Sequence, residues 1–270
     1  MSLGDFIKNC HTHLLSFAPD SEVRIAQDYL AARKVLEKTI KSVRIGYASS
    51  AIVLPDAVRH FGEEYRQDED GRRWDMSSYI RGKIIIPVYS EFGSLVGLAT
   101  RKPSFEKGNT WWNLPNPFKK GNHLFLLNIA RKSIFDKNKV YVVEGYMDAI
   151  LLWQYGLTNV VSLMGTALTS RKIGLMTRYC SNVCLCFDTD ENEAGQRAND
   201  MAIATLKKFD FCESISTIHL PVKEDPDEYI VKHGLDGFLA QERTLSDVEI
   251  EKICRKVTKQ KHTKEIIYAQ

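Results

Sequence analysis

Apolar positions recur every three or four residues from Ser21 to Val43, at Val23, Ala26, Leu30, Val35 and Ile40, and this spacing predicts a helix. Residues 1–20 show little periodicity and read as an arm or a short helix. Two strand-like runs, Lys83–Tyr89 and Ser94–Thr100, flank the turn Ser90–Gly93 and predict a β-hairpin. Before them, the charged stretch Gly62–Asp75 carries the turn signal Glu69-Asp70-Gly71 and reads as a hairpin or loop. Lys102–Gly121, rich in Pro, Gly, Asn and Lys, predicts a long irregular connection, of a kind that often carries function. Leu124–Lys132 predicts a helix.

After Lys139 the pattern changes. Short β-branched or apolar runs at Val140–Val143, Val160–Leu163, Asn182–Phe187 and Ile215–Leu220 alternate with helical stretches at Asp148–Tyr155, Thr169–Cys180 and Gly195–Phe209. Strands alternating with helices at this spacing predict a parallel sheet wrapped by helices. The fold class expected is therefore α/β. A mixed α+β subdomain over 1–139 precedes a Rossmann-like subdomain over 140–235 with a central four-stranded parallel sheet. A charged helical tail follows over 236–270.

Composition changes this picture little: of 270 residues, 44% are hydrophobic and 26% charged, ordinary values for a globular chain. No apolar run is long enough to span a bilayer and no basic segment leads into an apolar one at the N-terminus, so a cytoplasmic protein without membrane contact is expected. The six cysteines form no CxxC pair, so no zinc is expected in this chain. Cys184 and Cys186 sit in an apolar run and read as core residues. Cys10-His11-Thr12-His13 has half the ligands of a metal site, with no second half in the sequence. The net charge of +3 is unevenly spread: residues 1–140 hold 22 Lys and Arg against 15 Asp and Glu, and the rest hold 15 against 19. A basic first half joined to an acidic second half suits a polyanion held beside a carboxylate cluster, although uneven surface charge alone could give it.

The carboxylates stand where a parallel sheet places chemistry, beyond the carboxyl ends of its strands. The first strand runs into Glu144-Gly145-Tyr146-Met147-Asp148, where Gly145 allows a tight turn and Asp148 falls in the first turn of a helix. The third ends in Asp188-Thr189-Asp190, whose two acids share a side of extended chain. The fourth leads to Asp225-Pro226-Asp227. Each pair alone could be a cap or a turn. Three pairs on one predicted edge would repel unless a cation lay among them, and Mg²⁺ or Mn²⁺, which prefer oxygen ligands, would relieve that. Carboxylates holding two such ions are a common device for phosphoryl transfer. No GxxxxGK[ST] loop is present, which excludes a P-loop motor.

These segments, together with Gly165-Thr166-Ala167-Leu168-Thr169, resemble a TOPRIM domain, and the Glu-Gly-Tyr-Met-Asp and Gly-Thr-Ala-Leu-Thr forms resemble its bacterial DnaG-type primase branch. The first half resembles the rest of that catalytic core: Tyr29 to Arg33 with Ile45 to Ala48, Arg81 to Pro87, Gly93 to Arg101, Asn113-Leu114-Pro115, and Phe118 to Gly121. The resemblance covers about residues 25–235 and implies a DNA-directed RNA polymerase that makes short RNA primers on single-stranded DNA from ribonucleoside triphosphates. It implies Glu144, Asp188 and Asp190 as central metal-site acids for two or more Mg²⁺ or Mn²⁺ ions, with Asp148, Asp225 and Asp227 completing the site. Glu144, Asp148, Asp188 and Asp190 would be the catalytic set. Arg33, Lys83, Arg101, Asn113 and Lys120 would line a basic groove for template or nucleotide phosphates, and a replicative helicase would be the partner. The chain departs from the family in Thr189, where Gly is usual, in two extra residues before Ala194 that put Glu191 or Glu193 near the site, and in Thr110-Trp111-Trp112, where a Lys-Tyr pair is usual. The zinc and helicase-binding modules of a full primase are not seen, which suggests an excised core or a compact phage or plasmid form working in its host's cytoplasm. The alternatives are a TOPRIM nuclease using water as the attacking group and a non-catalytic nucleic-acid-binding module. A topoisomerase would need a tyrosine nucleophile on a further domain.

Overall fold

The computed structural model describes residues 1–54, 77–106, 111–114, 118–165, 167–187, 194–209, 212–221 and 224–268, with no side chains described at 194, 195 and 261–268. The charged segment 62–75 lies outside the described residues, as do Asp188 to Glu193, Thr110, Pro115 and Thr166. The chain divides into two compact units, Met1–Lys119 and Lys120–Gln270.

The first unit opens with α1, Leu3–Leu14, so residues 1–20 contain a full helix. Ser2 and Asp5 start it with a reciprocal capping box, each side chain accepting from the other's backbone N–H, at 3.1 and 3.0 Å. The helix expected over 21–43 is two helices, α2 at Ser21–Ala32 and α3 at Glu37–Val43. Lys34 breaks it by taking φ +62°, after which Val35 turns back and its N–H donates to the Leu30 carbonyl. Val23, Ala26 and Leu30 of α2, Val35 after the break and Ile40 of α3 are all buried, so every apolar mark of the expected helix is a core position.

Next come β1 (Gly46–Ala48), the short α4 (Ser77–Ile80), β2 (Lys83–Tyr89), β3 (Leu95–Arg101) and β4 (Trp111–Asn113), which form an antiparallel sheet in that order. The expected hairpin is β2–β3. The register aligns Tyr47, Ile84, Arg101 and Trp111 across the sheet, and side chains of opposed residues share a face. The other face carries Ala48, Ile85, Leu98 and Trp112 onto a core with Phe6, Ile7 and Cys10 of α1. Cys10 is fully buried there. His11 Nδ1 lies 2.7 Å from the Ile45 carbonyl, and His13 Nε2 lies 2.8 Å from Ser49 Oγ. The Cys-His-Thr-His segment thus fastens α1 to the sheet.

The second unit begins with a 3₁₀ turn at Lys120–Asn122 and α5 at Leu127–Lys137. Then follow β5 (Lys139–Val143), α6 (Tyr146–Gln154), β6 (Val160–Ser162), α7 (Ser170–Met176), β7 (Asn182–Cys186), α8 (Ala194–Leu206), β8 (Ser214–Ile218), α9 (Pro226–Leu239), β9 (Glu242–Thr244) and α10 (Asp247–Tyr268). The sheet order is β6-β5-β7-β8-β9, with the first four strands parallel as expected and β9 antiparallel at the edge. Val140, Val142, Val183, Leu185 and Ile215 bury one face under residues of α5, α7, α8 and α10. Helices α6 and α9 pack on each other. Cys184 and Cys186 are buried free thiols, the latter's pKa raised by burial.

Two boundaries differ from those expected at 139/140 and 235/236. Residues 120–139 belong with the second unit because Ala130 and Ile134 of α5 enter the same core as Val140 and Val142. The segment after 235 is not only a helical tail. Glu242 of β9 accepts hydrogen bonds from Tyr141 Oη at 2.7 Å, from Ser216 Oγ at 2.6 Å and from Lys139 Nζ, which fixes a fifth strand on the sheet. Leu245 and Ile250 then carry the start of α10 into the core.

Candidate functional site

Glu144 is the first residue beyond β5. Its carbonyl accepts from Gly165 N–H and from Ser162 Oγ, both at 2.9 Å. Ser162 Oγ in turn accepts from Met164 N–H at 2.9 Å, and Leu163 N–H donates to the Val143 carbonyl. The turn after β6 is thereby sewn to the tip of β5. It needs two left-handed residues in succession, Met164 at φ +60° and Gly165 at φ +66°. The first is unusual for a side chain with a Cβ; the second is what glycine permits.

Two lysines hold that turn from its other side. Lys172 Nζ donates to the Leu163 carbonyl at 2.7 Å, and Lys120 Nζ to the Met164 carbonyl at 3.4 Å. Lys172 is fully buried, and burial, then the charge of Lys120, lowers its pKa to about 7. Burial lowers that of Lys120 as well, and burial, then Arg171 and Lys172, lowers that of His123. Thr169 locks the assembly: its hydroxyl donates to the Gly121 carbonyl at 2.7 Å and accepts from Lys172 N–H at the start of α7. Sequence reasoning missed Lys172. Its only signal is its place three residues after a capping threonine, and nothing in the sequence marks that lysine as buried.

Glu144 lines a cavity of about 400 Å³, with Leu163, Leu168, Phe187, Ala202 and Thr205 around it. Asp148, in the first turn of α6, is buried, and its Oδ2 accepts from Gly145 N–H at 3.0 Å. A Cβ on residue 145 would lie 2.6 Å from that oxygen, so the turn needs glycine for the approach of Asp148, not for its φ of −99°. Gly145→Ala is expected to break this hydrogen bond and cost about 1–3 kcal/mol, read as a lower urea midpoint with unchanged slope. Asp225 is the exposed N-cap of α9, ahead of Pro226, and Asp227 in the helix's first turn is buried. Since α9 packs on α6, Asp148 and Asp227 occupy the first turns of neighbouring helices. Asp188 and Asp190 lie outside the described residues. Among the described residues, no three acids, histidines or cysteines come together as a metal set. While the cavity that Glu144 lines is otherwise mostly apolar, the side chains offered at these strand and helix tips are all carboxylates. That chemistry fits a hard divalent cation.

The five candidate phosphate contacts are spread over both units. Arg33 caps the end of α2, one helical turn after Tyr29 and so on its face. Arg101 and Asn113 share a face of the antiparallel sheet, the face that also bears Trp111. Lys83 pairs with Ala48 and falls on the opposite face. Lys120 belongs to the second unit.

An antiparallel α+β unit is followed by a unit with a mainly parallel sheet whose first strand ends at an acid. Residues 13–131 match the DNA primase catalytic core, N-terminal domain, and residues 141–230 match a Toprim-like domain. A DNA primase of Clostridium acetobutylicum is 38% identical over 222 residues, covering 79% of this chain and 36% of that protein. The solved Escherichia coli primase catalytic core superposes with a TM-score of 0.70 at 27% identity, over 89% of this chain and 79% of that one. A DnaG primase catalytic domain bound to single-stranded DNA superposes with a TM-score of 0.69 at 27% identity, over 88% and 79%. The chain belongs to the DnaG-type primase catalytic-core family. It spans about a third of the length of the curated primase it matches.

Proposed function

We propose that this chain synthesises short RNA primers on single-stranded DNA, joining ribonucleoside triphosphates with release of pyrophosphate. The observation that carries the reading is Glu144, set on the wall of a cavity at the tip of β5 by contacts to Gly165 and Ser162. It lies within a Toprim-like domain that follows a primase-type N-terminal domain. Glu144, Asp188 and Asp190 would hold divalent cations, Mg²⁺ or Mn²⁺, two or more in number, with Asp148, Asp225 and Asp227 supporting them. Bound there, such ions would supply positive charge for the attacking 3′-oxygen and the departing pyrophosphate.

The chain's own residues do the rest by position. The Gly165 turn holds the backbone beneath Glu144, and Asp148 holds the Gly145 turn from α6. Arg33, Lys83, Arg101, Asn113 and Lys120 would neutralise phosphates of template and nucleotide without reading sequence. The partners would be single-stranded DNA, ribonucleoside triphosphates and a replicative helicase, in the cytoplasm where DNA is copied. No helix among the described residues is long and apolar enough to cross a membrane.

The test is incubation with Mn²⁺, labelled ribonucleotides and single-stranded DNA. New oligoribonucleotides that require the template support the reading. Template degradation without synthesis would assign a nuclease instead, and binding without either reaction a non-catalytic module.

A further inference from the structure

Lys172 lies wholly inside the second unit, on a helix whose Ile173, Leu175 and Met176 enter the apolar core. An amine loses its hydration in such a place, and an apolar side chain of similar size would fill the space at less cost. What the amine reaches there is a particular backbone carbonyl. Its Nζ donates to Leu163 at 2.7 Å, and Leu163 opens the turn that carries Glu144.

The turn is gripped along its whole length. Leu163 N–H donates to the Val143 carbonyl at 2.9 Å, so this residue is held by β5 on one side and by α7 on the other. Met164 and Gly165 follow in left-handed conformations, at φ +60° and +66°. A left-handed residue with a side chain persists where its surroundings over-determine it. Here Lys172 holds the carbonyl before Met164, Lys120 holds that of Met164 itself at 3.4 Å, and Ser162 Oγ accepts from Met164 N–H at 2.9 Å. Gly165 N–H then donates to the Glu144 carbonyl at 2.9 Å. The path from Lys172 Nζ to Glu144 thus runs through three consecutive residues. Burial, then Lys120, lowers the Lys172 pKa to about 7, so near pH 8 the amine donates largely as a neutral group and sets no second charge beside Lys120.

We infer that Lys172 is a positioning residue for the Glu144 carboxylate: its buried amine fixes the Leu163–Gly165 turn, and the turn fixes the backbone from which that carboxylate projects. This rests on the reading of Glu144 as a metal ligand and adds to it what holds the ligand in place.

The test measures Mn²⁺ binding by the full chain without DNA, and kcat for primer synthesis, both at pH 8. Lys172→Met should weaken Mn²⁺ binding and lower kcat, each about tenfold, with the affinity for single-stranded DNA unchanged by fluorescence anisotropy. Lys172→Gln, which keeps an N–H donor without the charge, should recover most of both losses. Ser162→Ala reaches the same turn from β6 and should act in the same direction, which keeps the test decisive whether or not Lys172→Met folds. The double variant Lys172→Met/Ser162→Ala should lose less than the product of the single losses, because both act through one turn. Wild-type Mn²⁺ affinity in Lys172→Met or in Ser162→Ala, independent losses in the double variant, or a loss with Lys172→Gln as large as with Met would each overturn the positioning role and leave the metal centre standing. A wild-type chain that binds no Mn²⁺ would overturn the metal reading of Glu144 and this role with it.

Discussion

Glu144→Gln and Asp188→Ala are each expected to lower primer synthesis at least a hundredfold, the scale of losing one preorganised charge at a phosphoryl-transfer centre. For Glu144 the effect can be separated from folding. Glutamine keeps the length of the side chain and leaves in place the two contacts to the Glu144 carbonyl, from Gly165 N–H and Ser162 Oγ. The urea midpoint without metal should therefore not fall. A Mn²⁺ titration should show weakened binding, because the change removes a negative oxygen ligand from a hard-cation site. Asp225→Asn is the internal comparison. Asp225 is exposed and makes no side-chain capping bond, so its loss should cost far less. Wild-type synthesis by either Glu144→Gln or Asp188→Ala would remove that residue from the metal centre.

The parts of the molecule readable from sequence are those whose signals are local. The four parallel strands were legible because each is a short apolar run between helix-forming segments. Glu144 was legible because a glycine and a helix-start aspartate follow it at the spacing of a strand-to-helix turn. Strand β9 was not, because it is only three residues long and earns its place through Glu242, whose partners Lys139, Tyr141 and Ser216 are distant in sequence. The break at Lys34 was hidden for a different reason: no glycine or proline marks it, and the apolar period continues across it. The change of pattern after Lys139 marks where strands begin, not where a packing unit begins. Helix α5 joins the second unit by packing, which periodicity does not reveal. Register separates Lys83 from Arg101 and Trp111 from Trp112; both separations depend on which strand pairs with which.

Lys172→Met is expected to stabilise the protein at pH 6 and destabilise it at pH 10. The fold buries Lys172 completely and lowers its pKa from 10.5 to about 7, with burial the larger cause and Lys120 the second. The unfolded chain takes up the proton near 10.5, the folded chain only near 7. Between these values the unfolded state holds more protons, so this residue makes stability rise with pH across that window. Below about pH 7 both states are charged and the penalty is complete, about 5 kcal/mol as an upper bound from the shift. Methionine has similar length and fills the space without a charge. It also leaves the Leu163 carbonyl without the 2.7 Å hydrogen bond from Nζ, a loss of about 1–3 kcal/mol at every pH. The gain exceeds this loss at pH 6 and has nearly vanished by pH 10, so the two stability curves should cross in between. Urea unfolding of both proteins from pH 6 to pH 10 checks this. Parallel curves would mean that Lys172 keeps its proton in the fold, held by a negative partner, and that the turn beneath Glu144 is fixed by an ion pair instead of a neutral amine.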